Sequence, residues 1–217
     1  MKTRAEPNVT RTANPDRTAR TRGRIFSAVV QCLDEVGYSE TSINRVQSQA
    51  QVSRGALTHH FPSKEEMMAQ TLERLLAPVR GPETETGDLG LIHHQGPDQD
   101  ISEDLLRLWS EVINTRPGRA LMEILVASRT DDALRQRITP ALQAYNTDFN
   151  RNIAHLYKAA TGEAEDLTLL WSICRSFMRG LHTHAPYEAD PTVINKMVHR
   201  FARIMAPHLL AIQKETG

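Results

Sequence analysis

The stretch TSINRVQSQAQVSRGALTHH, residues 41–60, decides the fold. Thr41-Ser42 offers hydroxyls that can cap the first free amides of a helix. Ile43, Val46 and Ala50 then fall on one face at helical spacing, and the run ends near Gln51. Ser53 offers a second N-cap, and Arg54 to His60 makes about two turns before Phe61-Pro62 stops it. Two short helices joined by a tight turn at Gln51-Val52-Ser53 have the layout of a helix-turn-helix. A helix as short as Arg54–His60 fits the major groove of DNA, where its N-terminal residues reach base edges. The helix before it crosses the phosphate backbone and holds the register. Ile43, Val46, Val52, Leu57 and Phe61 are the expected core of this unit.

The flanking sequence supports the same unit. From Thr18, Ile25, Val29, Leu33 and Val36 share one helical face, with Phe26 and Cys32 beside them. Gly37 stands just past the last periodic residue, where a glycine enters positive φ cheaply, and Tyr38 can pack back on the helix end. Residues 1–17 hold Pro7, Asn14 and Pro15 and little that is apolar, and read as a disordered basic arm. On the other side, Ser63 caps a fourth helix. Glu66 stands at capping-box spacing, Glu65 and Glu66 meet the positive end of the dipole, and Met68, Leu72, Leu75 and Leu76 form the apolar stripe.

The run from Pro78 to Asp100 is broken by Pro78, Gly81, Pro82, Gly87, Gly90, Gly96 and Pro97, and residues 79–100 read as a loop or linker. Helical patterning then resumes. Leu105, Leu108, Trp109, Val112 and Ile113 form one stripe, and Pro117 suits the start of the next helix. Asp131-Asp132 opens a run to about Ala160 that Pro140 should kink or end. Leu167, Leu170, Trp171, Cys174, Phe177, Met178 and Leu181 recur at steps of three and four. A last helix from Asp190-Pro191 should carry Ile194, Met197, Val198, Phe201, Ile204, Met205, Leu209 and Ile212, with Pro207 as its kink site. No strand-like alternation competes, so the fold class is all-α.

Charge separates the two ends. Residues 1–64 hold ten Lys/Arg against five Asp/Glu, a net +5, so the remainder carries −5 in a chain of zero net charge. A polyanion partner suits the front only. No window of about 18 consecutive apolar residues suggests a membrane span. The start, Met1-Lys2-Thr3-Arg4, lacks the apolar core of a signal peptide, so a cytoplasmic protein is expected. Cys32 and Cys174 lie far apart among apolar residues and read as reduced, buried thiols.

Nine histidines raise the question of a metal. His93-His94 and His182-x-His184 lack the spacing of three or four that a helical metal pair prefers, and no cysteine cluster or HExxH accompanies them. GxSxG, P-loop and GxGxxG fingerprints are also missing, so neither an enzyme nor a metal or cofactor site is expected.

Residues 18–76 resemble the N-terminal domain of the TetR family of repressors. The resemblance runs through Ile25, Ala28, Gly37-Tyr38, Thr41-Ser42, Ala50, Val52-Ser53, Gly55, Leu57, His60-Phe61 and Lys64-Glu65. Three positions depart from the family pattern. Gln47 stands where a small alanine is usual, Gln51 where the turn has glycine, and Thr58 where tyrosine is common. The resemblance implies an N-terminal three-helix helix-turn-helix DNA-binding domain over residues 18–78 and a C-terminal helical ligand-binding and dimerisation domain over 101–217.

The resemblance also assigns roles. Arg54 and His59 would face base edges. Thr41, Ser42, Ser53, Thr58, His60 and Lys64 would meet phosphates, with Gly55 and Arg45 in the same surface. The arginines at 17, 20, 22 and 24 can approach phosphates or a minor groove. Segments 163–184 and 191–212 would form a four-helix bundle with a second copy through Leu167, Leu170, Cys174, Leu181, Ile194, Met197, Phe201, Ile204 and Met205. An effector pocket would be lined by Trp109, Ile113, Met122, Leu125, Tyr145, Phe149, His155, Trp171, Phe177 and Met178. The expected function is a dimeric repressor on a near-palindromic operator, released by a small, mostly apolar effector. The alternatives are a helical interaction protein that does not bind DNA and an orphan regulator without an effector.

Overall fold

The computed structural model describes residues 15–80, 100–190 and 192–212. Most of the expected arm over 1–17 and of the expected loop over 79–100 lies outside the described residues. Among the described residues nine α-helices follow one another: α1 (Pro15–Glu40), α2 (Ile43–Ala50), α3 (Arg54–His60), α4 (Lys64–Arg80), α5 (Ile101–Arg107), α6 (Arg116–Ala127), α7 (Asp132–Leu156), α8 (Ala164–His184) and α9 (Thr192–Met205). The described fold is helical, as the periodicity predicts. One addition is a short antiparallel ladder of β1 (Tyr157–Ala159) with β2 (Leu209–Ala211).

The caps read from the sequence form. Ser42 accepts from the Arg45 amide, Ser53 from Ala56, Ser63 from Glu66 and Asp131 from Leu134. The capping box at α4 closes on one side only, because the Glu66 carboxylate is taken by Gln70 and Arg137. Gln51 sits at φ 52, ψ 46, the left-handed turn expected of it, with its amide bonded to the carbonyls of Gln47 and Ser48. Gly37 is more extreme, at φ 73, ψ 176, a region almost closed to other residues. A Cβ there would also press to 3.0 Å from the Glu123 carboxylate. The true helical turn of α1 therefore ends before Gly37, and α1 begins at Pro15, three residues ahead of the expected start.

Two expectations about the helical body are corrected, and one feature is added. α7 passes through Pro140 without ending. Pro140 is exposed, and burial of Leu134, Ile138, Ala141 and Tyr145 on the opposite face offsets its missing hydrogen bond. The last helix stops at Met205 instead of reaching Ile212. Pro207 cannot continue it, and Leu209 is buried in β2, where the Ile212 amide donates to Leu156. α5 is prolonged by a π-helical stretch, Leu108–Ile113. Gly118 at the start of α6 lies directly against the carbonyls of Val112 and Ile113, where a side chain has no room.

The core is continuous from the front helices to the back. Ile25, Val29, Leu33, Val46, Leu57, Met67, Met68 and Leu72 close the front unit, while Leu105, Ile124, Leu134, Ile138, Trp171 and Tyr157 close the body. Cys32 and Cys174 are free and buried, and burial pushes the Cys174 thiol up to about 12. A buried charge, Asp104, is compensated by the Tyr157 hydroxyl at 2.7 Å and by Arg107.

The front unit is tied to the body by α1 on α6 and by α4 on α7, with a smaller contact of α4 on α6. Arg116 and Arg119 of α6 pair with Asp34 of α1, and Arg137 of α7 pairs with Glu66 of α4. Tyr38 joins both: its hydroxyl donates to Asp131 at 2.7 Å and its amide to Glu123 at 3.0 Å.

The two positive-φ positions should respond oppositely. Gln51→Gly removes a left-handed penalty of about 1 kcal/mol and should raise the urea midpoint. Gly37→Ala should cost about 1–3 kcal/mol and lower it. Equal effects would contradict the backbone geometry.

Acid should loosen the same junction. The Arg119 hydrogen bond holds Asp34 below the usual carboxylate range, and the Leu134 amide does the same for Asp131. Stability from such depressed groups is complete above the unfolded value of about 3.9 and is lost as pH falls through the folded values. Urea midpoints should drop below about pH 4, and Asp34→Asn should flatten that drop.

Candidate nucleic-acid interface

α2 and α3 present one continuous polar surface because their apolar residues all turn inward. Val46, Ala50, Leu57 and Phe61 are buried, and Ile43 and Val52 are partly buried against the same core. Ser42, Arg45, Ser53, Arg54, Gly55, Thr58 and His59 remain exposed. Arg54 and His59 lie on the outer side of α3, free to meet a partner. No neighbouring atom comes within 4 Å of a Cβ built on Gly55, so packing inside the chain does not require glycine there.

The structure separates the expected contact residues into two groups. Ser42 and Ser53 are exposed caps, and Thr58 bonds back to the Arg54 carbonyl at 3.0 Å while staying at the surface. Arg45 lies at the same surface, its Nε donating to the Glu40 carbonyl at 3.0 Å. His60 is half-buried, and burial lowers its pKa below the ordinary histidine value.

Thr41 and Lys64 work elsewhere. Thr41 is fully buried and its hydroxyl donates to the Gly37 carbonyl at 2.7 Å, so it braces the turn and is not placed to meet a phosphate. Lys64 Nζ donates to the Tyr38 carbonyl at 2.7 Å and lies 4.1 Å above the Tyr38 ring. Burial lowers its pKa, and in the free chain its charge is spent on the corner between α1 and α4.

Arg24 has a role that residue type alone did not reveal. Its guanidinium donates to the carbonyls of Ala50 at 2.6 Å and Gln51 at 2.9 Å, closing the C-terminal end of α2. A cation on the last carbonyls also meets the negative end of the helix dipole. Arg24 is thus a brace of the turn, whereas Arg20 and Arg22 are exposed on α1. A further cross-brace is the amide of Gln49 on Gln31 at 2.8 Å. The only hint of these contacts in the sequence was the polarity of residues on α1.

The expected pocket residues fall into several environments. Tyr145, Phe149, Trp171 and Met178 are buried together between α7 and α8, with ring centroids of Phe149 and Trp171 6.2 Å apart. Trp109 and Ile113 are buried near His182, whose Nε2 donates to the Ile113 carbonyl at 2.7 Å and whose pKa is lowered by burial. Met122 and Leu125 are half-buried on α6, and Phe177 stacks on Phe201 at 4.0 Å. His155 is exposed and does not line an interior space. Two cavities lie nearer the front. One of about 660 Å³ is lined by Phe26, Phe61, Arg74 and Arg137, the other of about 550 Å³ by Tyr38, Glu123 and Asp131. Neither uses the expected lining.

The expected dimer residues divide as well. Leu167, Cys174, Leu181, Ile194 and Met205 are buried within the single chain, and Leu170, Met197 and Phe201 are partly covered. The apolar side chains that α8 and α9 leave outside are Leu169 (57% exposed), Ile173 (43%) and Ile204 (57%). The apolar stripe is wide enough to face two ways, and α7 and α5 cover the half that the resemblance assigned to a partner.

Comparison with known proteins agrees with this architecture. The family described as bacterial regulatory proteins, tetR family, matches residues 25–71, which span α1 to α4. The HTH-type transcriptional regulator CymR of Pseudomonas putida is 28% identical over 183 residues, covering 83% of this chain and 86% of that protein. Among solved structures, NalD, the secondary repressor of the MexAB-OprM multidrug efflux pump in Pseudomonas aeruginosa, is similar with a TM-score of 0.60. Its identity is 18%, over 90% of this chain and 98% of that one. The multidrug binding protein EbrR complexed with imidazole gives a TM-score of 0.56 at 19% identity, over 94% of this chain and 98% of that one. The family match spans the helix-turn-helix, and the two solved structures share the fold. Residues 25–71 thus form an N-terminal domain of the kind described for the tetR family of bacterial regulatory proteins, within a fold similar to those solved regulators.

Proposed function

We propose that this regulator is a homodimeric repressor that reads a near-palindromic operator and is released by a small, mostly apolar effector. The observation that carries the DNA-reading part is the exposed row of Arg54, Gly55, Thr58 and His59 on a short helix whose other face is locked into the core. Arg54 pairs with a base edge and His59 lies beside it. Ser42, Arg45, Ser53, Thr58 and the half-buried His60 hold phosphates. Gly55 lets the DNA backbone come close.

The dimer reading rests on Leu169, Ile173 and Ile204, apolar side chains that α8 and α9 leave exposed while Phe177 and Phe201 stack the two helices on each other. A second copy covers them, and two reading helices then meet half-sites about 34–36 Å apart. The release step rests on how the front is joined to the body. Asp34, Tyr38 and Glu66 hold α1 and α4 onto α6 and α7. A ligand that displaces α6 or α7 therefore shifts the reading helices, provided its affinity differs between the two arrangements. NalD is named a repressor and EbrR a multidrug binding protein, which favours both parts of the reading.

The direct experiment is binding of the purified chain to DNA from its own upstream region at several salt concentrations. Sequence-selective binding as a dimer supports the proposal. Weak, sequence-blind binding across a genomic library overturns it and favours the interaction-protein alternative.

Two variants separate base reading from backbone approach. Arg54→Ala should cost about 1–3 kcal/mol at one base position and relax preference there. Gly55→Ala should raise folding stability by about 0.5–1 kcal/mol yet weaken binding to all sequences. Gel shifts on operator and scrambled DNA, with thermal melts, check both. A Gly55→Ala protein with undiminished binding would contradict the close approach.

The dimer face has its own check. Ile173→Glu should give a folded monomer by sedimentation, with operator affinity reduced at least tenfold. A dimer that persists would move the interface off this face.

A further inference from the structure

The layer between α7 and α8 contains polar groups that the fold itself does not satisfy. α8 turns Trp171, Arg175 and Arg179 toward α7, at steps of four, and α7 answers with Tyr145, Phe149 and Asn150. The Arg175 guanidinium lies 4.2 Å from the centre of the Phe149 ring and 5.7 Å from that of Tyr145. Three polar atoms in this layer are buried without a hydrogen-bond partner: Trp171 Nε1, Arg175 Nε and Asn150 Oδ1. Native proteins leave few such atoms, and three in one layer call for a cause.

Charge sharpens the point. Among the described residues, no carboxylate pairs with Arg175 or Arg179. Arg175 makes a 3.3 Å contact with Asn146, and Arg179 has the Tyr145 hydroxyl beside it. Burial and the neighbouring Arg175 both disfavour the charge on Arg179. A guanidinium does not escape by losing its proton, as a lysine or histidine can. Two adjacent cations in an aromatic layer are costly unless an anion joins them. By contrast Asp104, the buried carboxylate of the body among the described residues, is paired with both Arg107 and the Tyr157 hydroxyl.

We infer that this layer is a binding site for an organic acid, with the carboxylate held by Arg175, Arg179 and Trp171 Nε1 and the apolar body packed on Tyr145, Phe149 and Met178. The unpaired donors require an acceptor, and a guanidinium fork matches a carboxylate in shape and charge. The aromatic wall excludes a small, strongly hydrated inorganic anion, because such an ion gains nothing from apolar contact. Asn150 Oδ1, an acceptor, is open to a hydroxyl or water carried in with the ligand. The inference rests on the effector reading above and narrows it: the effector is apolar in body and anionic at one end.

The test uses the full-length protein. Thermal melts and calorimetric titrations are run with 2-naphthoate and decanoate, each against its own primary amide, on the wild type and on Arg179→Met and Arg175→Gln. Expected is at least tenfold tighter binding of a carboxylate than of its amide, lost in both variants. Arg179→Met should also melt at or above the wild-type temperature without ligand, because a half-buried charge with no carboxylate partner is replaced by an apolar chain of similar length. Carboxylates that bind no better than their amides overturn the inference. So does a lower melting temperature for ligand-free Arg179→Met, which would make the arginine a structural brace. A parallel gel shift separates this from the broader reading. A carboxylate that binds through Arg179 without releasing DNA leaves the site standing and sinks effector release. A neutral compound that releases DNA equally from wild type and Arg179→Met does the reverse.

Discussion

The corner from Gly37 to Thr41 is the constraint on which the rest of the chain depends. Its backbone conformation is open almost only to glycine, and the groups that follow are fully used. Tyr38 gives its amide to Glu123 and its hydroxyl to Asp131, while its carbonyl accepts from Lys64. Thr41 bonds back to Gly37. One short turn thus touches α4, α6 and α7 and sets where α2 leaves. The pose of the reading helix relative to the body follows from those bonds.

That arrangement explains why residues suited by type to phosphate do other work. Lys64 and Arg24 are cations near a basic surface, yet both end on backbone carbonyls. A helix end or tight turn leaves carbonyls without partners, and a long cationic side chain close by satisfies them. The exposed cations of the reading surface are then fewer than the sequence suggests, and Arg54 stands out among them. Gln51 tolerates its left-handed turn for a related reason: its amide is bonded twice, and Arg24 holds its carbonyl.

The helical body shows the opposite imbalance. Its front contacts with α1 and α4 are matched ion pairs and hydrogen bonds, whereas the α7–α8 layer keeps Trp171 Nε1 and Arg175 Nε buried without a partner among the described residues. A structure selected for stability alone would fill that layer with apolar side chains. Functional sites are where such local inconsistencies concentrate. The face formed by Leu169, Ile173 and Ile204 is a second departure, this time of apolar groups left toward water.

The sequence by itself determined the helix-turn-helix. Caps at Ser42, Ser53 and Ser63, the stripe of Val46, Ala50 and Leu57, and the glycine at 37 are local signals, each set by bonds within about four residues. Helical class and most helix starts in the body were legible for the same reason. Tertiary structure alone decided the rest. Periodicity shows that a stripe on α8 is apolar, but not which half meets α7 and which is left outside. It marks Pro140 and Pro207 as breakers, but only packing on the opposite face lets α7 continue, and only the pairing of β1 with β2 draws the chain after Met205 into a strand. Likewise, no local pattern reports that Tyr38 reaches Asp131 or that Arg175 lies over the Phe149 ring. Those facts depend on residues tens of positions apart, and the folded chain alone brings them together.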